Sequence, residues 1–205
     1  MAISRRSLQL LRQRASPPRF PIVTLCGSVG ALRAYVRILR DMPEDTGMVF
    51  VVLTHRRKPR PCGLANILSQ VTRMPVRQIE NGATLRPNCV YVIPPGTDLT
   101  TDGTVFRLAP MSTAYGSPDG FDIFLKSLAR TTQGRAITVI LSGMAADGSA
   151  ALGALRESGG VCFAQDDAQC NGMPTNAIAT GKVDHIGSAA AIAALLSEHQ
   201  CLPLS

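Results

Sequence analysis

Short runs of consecutive apolar residues alternate with amphipathic segments along most of the chain. Apolar runs occupy 22–26, 48–54, 136–141 and 161–164. Runs of this length that are rich in β-branched residues are typical of strands buried on both faces of a sheet. The segment 31–41 instead repeats apolar residues every three or four positions, which predicts a helix. The alternation predicts an α/β fold: a doubly wound, mostly parallel sheet.

The remaining segments extend this pattern. Four short segments in the middle of the chain, separated by turn residues, predict an antiparallel excursion with a hairpin turn at Asp102-Gly103. These four predicted strands cover 76–79, 90–93, 98–100 and 104–108. Further helices are predicted near 63–72, 119–130, 149–158, 174–180 and 189–198.

Charge divides the chain into two parts. The protein has 205 residues and a net charge of +7, and its first twenty residues contain five arginines and no acid. We therefore predict a flexible basic arm over 1–20 and one folded domain over 21–205.

No apolar stretch is long enough for a secretory signal or a membrane span, so we expect a cytoplasmic protein without membrane insertion. The six cysteines include no Cys-x-x-Cys pair, which favours reduced thiols packed in the core.

Aromatic residues bear on the class of partner. Trp is absent and only three Tyr occur, so stacking platforms for single-stranded nucleic acid are scarce and no nucleic-acid partner is expected. The arginine-rich arm leaves open a second interpretation, in which it binds nucleic acid or anionic lipid.

Three residues with catalytic potential come just after predicted strands: Ser28, His55 and Asp147. In an open parallel sheet, ligands bind beyond the carboxyl ends of the strands. A histidine can deprotonate a serine hydroxyl, and a carboxylate can orient the ring and stabilise its cation. Simpler interpretations stay open: Ser28 and Asp147 could cap helices, and His55 could be an ordinary loop histidine.

Other site types fit the sequence poorly. Cys26 stands two positions before Ser28, where a hydrolase nucleophile elbow has glycine. Gly27 and Gly30 are not followed by the third glycine of a dinucleotide fingerprint, and no phosphate-binding loop with Gly-Lys-Ser/Thr is present. No pattern of paired histidines or cysteines suggests a metal site, so neither metal nor cofactor is expected.

Three segments together resemble the catalytic domain of the chemotaxis protein-glutamate methylesterases, the CheB family. They are Leu25-Cys26-Gly27-Ser28-Val29-Gly30-Ala31, Leu53-Thr54-His55 and Leu141-Ser142-Gly143-Met144-Ala145-Ala146-Asp147-Gly148. Segments 80–83, 90–96, 164–170 and 172–174 are also similar to that family. The resemblance extends over about residues 21–196, and it implies a methylesterase-like catalytic domain in 21–205.

The resemblance implies a specific chemistry. Family members hydrolyse glutamate γ-methyl esters on the cytoplasmic helices of chemoreceptors to glutamate and methanol, and many also deamidate receptor glutamines. The nucleophile, base and acid of the family match Ser28, His55 and Asp147. The backbone N–H groups of Val29 and Met144 are the expected oxyanion donors.

The sequence departs from the family pattern beside the site. Arg56, Arg57 and Lys58 follow His55 where the family tends to have Met-Pro-Pro, and residues 117–120 replace a His-Arg-Pro-Ser segment. This basic rim could attract an acidic receptor helix or could be a solvated loop. The altered rim also leaves open a catalytically inert binding or regulatory module. Family members typically carry a receiver domain before the esterase, so the chain is either a stand-alone member or a fragment.

Overall fold

A seven-stranded parallel sheet forms the centre of the protein in the computed structural model, which describes residues 18, 20–55, 63–111, 120–144 and 146–198. The strand order is β3-β4-β2-β1-β7-β8-β9, and a separate antiparallel pair consists of β5 and β6. The strands are β1 (Ile22–Gly27), β2 (Val49–Thr54), β3 (Val76–Gln78), β4 (Cys89–Val92), β5 (Thr97–Thr101), β6 (Phe106–Pro110), β7 (Ala136–Ile140), β8 (Val161–Gln165) and β9 (His185–Gly187).

Helices cover both faces of this sheet. Alternate residues of β1 point to opposite faces, so Val23 and Leu25 belong to one apolar cluster and Ile22 and Cys26 to the other. The helices α1 (Leu32–Asp41), α2 (Gly63–Ser69) and α6 (Ala189–Glu198) cover the first cluster. The β5–β6 hairpin and the helices α3 (Gly120–Thr131), α4 (Leu152–Glu157) and α5 (Gly172–Ala179) cover the second. The predicted doubly wound, mostly parallel sheet with a small antiparallel hairpin is confirmed.

The predicted antiparallel excursion is wrong in its first half. β3 and β4 pair in parallel with each other, and β4 pairs in parallel with β2, so both strands extend the main sheet. Among the strands that the structure describes, β5 and β6 form the antiparallel pair. Their connection contains the expected turn, in which Gly103 has a φ of 92° and Asp102 Oδ1 accepts the N–H of Thr104. Glycine is favoured there because a left-handed φ strains other residues.

Two further differences concern the end of the chain. α4 begins at Leu152 rather than near residue 149, and the short edge strand β9 follows α5 where no strand was predicted.

The predicted basic arm over 1–20 lies almost wholly outside the described residues. Among the described residues, no helix has both the length and the apolar content needed to cross a bilayer.

Candidate active site

The sheet topology brings together the loops that carry the three candidate residues. β1 pairs with β2 on one side and with β7 on the other. Gly27 is the register partner of Thr54, so Ser28 and His55 each follow one member of that pair. Asp147 belongs to the connection that leaves β7. All three loops therefore lie at the carboxyl edge of the sheet, where the strand order reverses and ligands characteristically bind.

His55 and Asp147 form a direct polar contact. His55 Nε2 lies 2.6 Å from Asp147 Oδ2, although 92 positions separate the two residues in the chain. The Asp147 side chain is fully buried, whereas 28% of the His55 side chain is exposed. A buried carboxylate paired with a partly exposed imidazole fixes the ring and leaves its other nitrogen available for proton transfer.

The first turn of α3 holds the Asp147 carboxylate. The backbone N–H of Phe121 donates to Oδ2 at 3.1 Å and to Oδ1 at 3.2 Å, and the N–H of Asp122 donates to Oδ1 at 3.3 Å. Asp147 therefore caps a helix that precedes it by 26 residues, and α4 after it has Ala151 as its N-cap. The carboxylate is therefore held in place by the backbone donors at the N-terminal end of α3.

The ring of Phe121 fixes the plane of the His55 imidazole. The two ring centroids are 4.2 Å apart and the planes are within 8° of parallel. Phe121 itself is buried. Phe121 therefore contacts His55 through its side chain and Asp147 through its backbone. These two contacts fix the position of the imidazole relative to the carboxylate.

Ser28 lies in the tight connection between β1 and α1. That helix begins at Leu32 with Ala31 as its N-cap and has no side-chain capping bond, so the capping interpretation of Ser28 is wrong. The Ser28 N–H donates to the Ser142 carbonyl at 2.9 Å. Among the described contacts, no hydrogen bond joins Ser28 Oγ to His55. Such bonds are often long without substrate and shorten in the reactive complex.

The buried Ser142 connects the loop of Ser28 to its neighbours. Its hydroxyl donates to the Val29 carbonyl at 2.8 Å and accepts the Cys170 N–H at 2.9 Å. Its backbone N–H donates to Gln165 Oε1 at 3.0 Å. The connections after β1, β7 and β8 are therefore held together by one residue at the base of the site.

Two backbone donors beside Ser28 have no acceptor within the part of the chain that the structure describes: the N–H groups of Val29 and Met144. The neighbouring Gly143 N–H, by contrast, donates to the Cys170 carbonyl at 2.9 Å. A Cβ placed on Gly143 would lie 3.3 Å from the Cβ of Ser28, so the Met144 segment passes close to the serine. Unengaged donors in this position can stabilise a developing oxyanion.

Cys26, two residues before Ser28, is a potential competing nucleophile that the site keeps inactive. The residue is fully buried. Burial raises the pKa of the Cys26 thiol well above its ordinary value, and the negative charges of Asp147 and Asp122 raise it further. Because the thiolate is the reactive form, Cys26 is a packing residue.

The second histidine of the described residues was not predicted to take part in the site, and it lies away from it. His185 is on β9, three strands away from β1, and its ring stacks on Phe163. The basic rim of Arg56, Arg57 and Lys58 falls outside the described residues, as does His199. Within the described ranges, no three His, Cys, Asp or Glu side chains form a group that could hold a metal ion.

Sequence reasoning missed the supporting residues Phe121, Asp122 and Ser142. The first two belong to the apolar and polar pattern of α3, and nothing in that pattern shows that the helix begins against Asp147. Ser142 lies in the segment 141–148 that resembles the family, but the sequence predicts no role for it. A single buried hydroxyl gives no local signal of the three connections that it joins.

The chain has clear relatives. The model of the CheB methylesterase family matches residues 23–196. A protein-glutamate methylesterase/protein-glutamine glutaminase of Geobacillus kaustophilus is 33% identical over 90% of this chain and 56% of its own length. The protein-glutamate methylesterase FrzG of Myxococcus xanthus is 30% identical over 96% of this chain and 55% of its own length. The chain therefore spans about half the length of these curated relatives.

A solved structure agrees with the sequence relatives. The CheB methylesterase catalytic domain of Thermotoga maritima superposes with a TM-score of 0.81 at 27% identity, over 88% of this chain and 98% of that domain. The family match covers most of the folded residues, including both sides of the site. The chain belongs to the CheB methylesterase family.

Proposed function

We propose that the protein is a serine esterase that hydrolyses γ-methyl esters of glutamate side chains in proteins, with Ser28 as nucleophile. The hydrogen bond between His55 and Asp147, at the strand ends beside Ser28, is the single observation that carries this proposal. Family membership supports it, because the curated relatives are named protein-glutamate methylesterases.

The first half of the reaction forms an acyl-enzyme. The ring nitrogen of His55 that does not face Asp147 takes the proton from Ser28 Oγ as the oxygen attacks the ester carbonyl carbon. The N–H groups of Val29 and Met144 stabilise the resulting oxyanion. The intermediate collapses by breaking the bond to the methoxy oxygen. His55 returns its proton to that oxygen, and methanol leaves.

The second half regenerates the enzyme. His55 deprotonates a water molecule, whose oxygen attacks the acyl carbon bound to Ser28 Oγ. A second tetrahedral intermediate collapses, Ser28 recovers its proton from His55, and a glutamate side chain is released. Asp147 stabilises the imidazolium in both halves through its contact with Nε2.

Family membership supports a proposal for the substrate class. We propose that the substrates are methylated cytoplasmic helices of chemoreceptors and that the enzyme acts in the cytoplasm. The basic residues Arg56, Arg57 and Lys58 beside His55 would favour an acidic helix. A glutamine side chain could follow the same route with ammonia as leaving group, and the glutaminase activity in the name of the Geobacillus relative supports this second reaction.

Methanol release tests the proposal. The full chain is incubated with a helical peptide that carries γ-methyl-glutamate, beside the same peptide with glutamine at that position, and methanol and ammonia are measured. We expect methanol from the wild type and a loss of several orders of magnitude for Ser28→Ala. A matched control is Ser69→Ala, since Ser69 is a surface serine at the end of α2.

Two results would contradict the proposal. One is the absence of methanol from the wild type on the methylated peptide and on methylated receptor. The other is equal release by the wild type and Ser28→Ala, which would place the chemistry elsewhere. Methanol without ammonia would reject only the second reaction.

A further inference from the structure

A second concave surface lies at the same edge of the sheet as the candidate active site. It is a cleft of about 380 Å³ between the start of α1, the connection that follows β8 and the start of α6. Its lining therefore comes from segments that follow the carboxyl ends of β1, β8 and β9, which is the edge where open parallel sheets bind ligands. The described residues that line the cleft differ from those to which the reaction assigns a role.

The cleft is continuous with the loop that carries Ser28. Gly30, two residues after the serine, lines the cleft. A Cβ placed on Gly30 would lie 2.6 Å from Ser142 Oγ and 3.0 Å from the Cβ of Gln169, which also lines the cleft. The nucleophile loop thus packs against both the base of the active site and a residue of the cleft. A substrate group that fills the cleft would lie next to the residue that is attacked.

Small residues leave room in the cleft for a side chain of the ligand. Where α1 and α6 approach each other, the lining consists of residues with at most a methyl group as side chain: Gly30, Ala34, Ala189 and Ala190. Residues 33, 34 and 37 recur at the spacing of one helix face, so α1 presents a single face to the cleft. The other lining side chains all carry hydrogen-bonding groups, and the cleft therefore fits a polar group better than an apolar one.

Two arginines on this face of α1 supply positive charge. Arg33 and Arg37 both line the cleft, and the four positions between them correspond to about 6 Å along the helix axis. Both side chains are exposed. Arg37 pairs with Asp41 at 2.8 Å, whereas Arg33 has no carboxylate partner within the part of the chain that the structure describes. An arginine beside a cleft, with its donors unengaged, is suited to binding a carboxylate.

Asp167 limits the kind of anion that the cleft accepts. Its Oδ1 accepts the N–H of Gln165 Nε2 at 2.8 Å and the backbone N–H of Ala189 at 3.1 Å, so this carboxylate is fixed in the lining. The described lining thus combines two positive charges with one negative charge. A singly charged carboxylate gains more from the arginines than it loses to Asp167, whereas a doubly charged phosphate meets stronger repulsion.

We propose that this cleft binds a carboxylate of the substrate protein, that of an aspartate or glutamate near the methylated glutamate, through Arg33 and Arg37. The inference rests on the proposed function, because the acid and the ester belong to the same substrate. It adds a specificity determinant: an acid at a fixed spacing from the ester favours hydrolysis. This determinant lies on α1 and is separate from the basic residues 56–58, which precede α2.

A series of helical peptides tests the fixed spacing. Each peptide carries one γ-methyl-glutamate and one glutamate among neutral residues, and the glutamate is moved through up to about seven positions, or two helical turns, on either side of the ester. Matched peptides have glutamine in place of the glutamate. For the full chain, we expect kcat/KM for methanol release to rise about three- to fivefold at one or two positions, which is the modest effect of an exposed ion pair. The gain should appear mainly in KM.

Variants of α1 test which residues recognise the acid. Arg33→Gln and Arg37→Gln should each reduce the preference for the acidic peptide, and Arg33→Glu should reverse it in favour of a peptide with lysine at that position. The matched control is Arg40→Gln, since Arg40 is an exposed arginine of the same helix that does not line the cleft. It removes the same charge and should keep the positional preference. Urea unfolding establishes that all variants are folded.

Three outcomes would overturn the inference and leave the esterase proposal intact. The first is methanol release by the wild type without any positional preference. The second is a preference that persists in Arg33→Gln and Arg33→Glu, or one that Arg40→Gln loses equally, which would indicate general charge attraction. The third is a clear gain when phosphoserine replaces the preferred glutamate, which would assign the cleft to phosphate. A wild type that releases no methanol from any peptide would overturn the proposed function and this inference together.

Discussion

His55 is oriented by two contacts of different kinds, and both come from segments distant in the chain. Asp147 holds the ring edge through Nε2, and Phe121 covers one ring face. A hydrogen bond alone leaves a ring free to rotate about the bond axis, whereas a stacked neighbour fixes its plane. The effective base is therefore a unit of three residues.

The stacking contact is tested by Phe121→Leu. The backbone N–H that reaches Asp147 is kept, but the ring surface against His55 is lost. We expect kcat/KM to fall about tenfold, because a loosely held base spends less time in reactive geometry. The measurement is kcat/KM on the methylated peptide together with the free energy of unfolding in urea.

The same substitution one turn further along α3, Phe124→Leu, is the matched control. Phe124 is fully buried in the core, so its replacement should cost at least as much stability, about 1–2 kcal/mol. Its kcat/KM should stay within about twofold of the wild type. Equal activity losses in the two variants would show that the ring contact has no separate role.

The buried Asp122 carboxyl predicts how the free energy of unfolding depends on pH. Its pKa is raised above the ordinary value of 3.8, chiefly by burial, so the folded protein binds this proton more tightly than the unfolded chain does. Stability from this group is therefore lost as pH rises from about 3.8 through the folded pKa. The unfolding free energy of Asp122→Asn should rise relative to the wild type between about pH 4 and pH 7. A constant or opposite difference in urea titrations would contradict the burial argument.

At the scale of elements, the close contact between α5 and the segment after β7 shapes the oxyanion side of the site. A Cβ on Gly172, the first residue of α5, would lie 2.5 Å from the Met144 carbonyl oxygen. A backbone atom cannot move aside as a flexible side chain can. The start of α5 therefore determines where the Met144 N–H stands relative to Ser28.

Gly172→Ala should displace Met144 and lower kcat at least tenfold, with a stability cost of about 1–3 kcal/mol. Gly153→Ala is the control, since a Cβ there meets no atom within 4 Å and lies in α4. That variant should be as active as the wild type and equally or more stable. The two variants are compared by steady-state kinetics on the methylated peptide and by thermal unfolding. An unchanged kcat in Gly172→Ala would show that the position of the Met144 N–H does not affect the reaction rate.

The elements that the sequence predicts well are those with a long pattern of their own. The buried runs that became β1, β2 and β7 have nearly the predicted bounds, and so does α6. The sequence predicts the wrong pairing for β3 and β4. A strand of three or four residues has too few buried positions to indicate whether its neighbour in the sheet is parallel or antiparallel. β9 was missed because its residues are partly or largely exposed at the sheet edge.

The residues of the candidate site also differ in how well the sequence predicts them. Ser28, His55 and Asp147 follow predicted strands, so topology alone places them at one edge of the sheet. Phe121 and Asp122 begin a helix that the sequence predicts, but its docking against Asp147 depends on packing of distant segments. Chain position revealed the groups proposed to react, whereas the groups that orient them required coordinates.

At the scale of the whole molecule, the site lies where the chain crosses from one half of the sheet to the other. The β2 side contributes His55 and the β7 side contributes Asp147, with the loop of β1 between them. The two halves must therefore be docked before the pair can form. The protein as a whole carries a charge of +7, concentrated partly in the first twenty residues.

This charge predicts a salt dependence that varies with substrate. For an acidic peptide ester, kcat/KM should fall several-fold between about 50 and 500 mM salt, because screening weakens attraction between opposite charges. For a small neutral ester, the change should stay within about twofold. Deleting residues 1–20 tests whether the salt dependence arises from the arm or from the folded domain. An equal salt dependence for both esters would contradict electrostatic attraction of the acidic substrate.

The most direct test of the proposed catalytic centre is the site at which a fluorophosphonate attaches to the intact chain. Peptide mapping by mass spectrometry should find one adduct, on Ser28, that forms rapidly in the wild type and very slowly in His55→Gln. Asp147→Asn should also slow it greatly, because the imidazole loses its carboxylate. An adduct on another residue, or equal rates in the wild type and His55→Gln, would contradict the assignment of His55 as the base that activates Ser28.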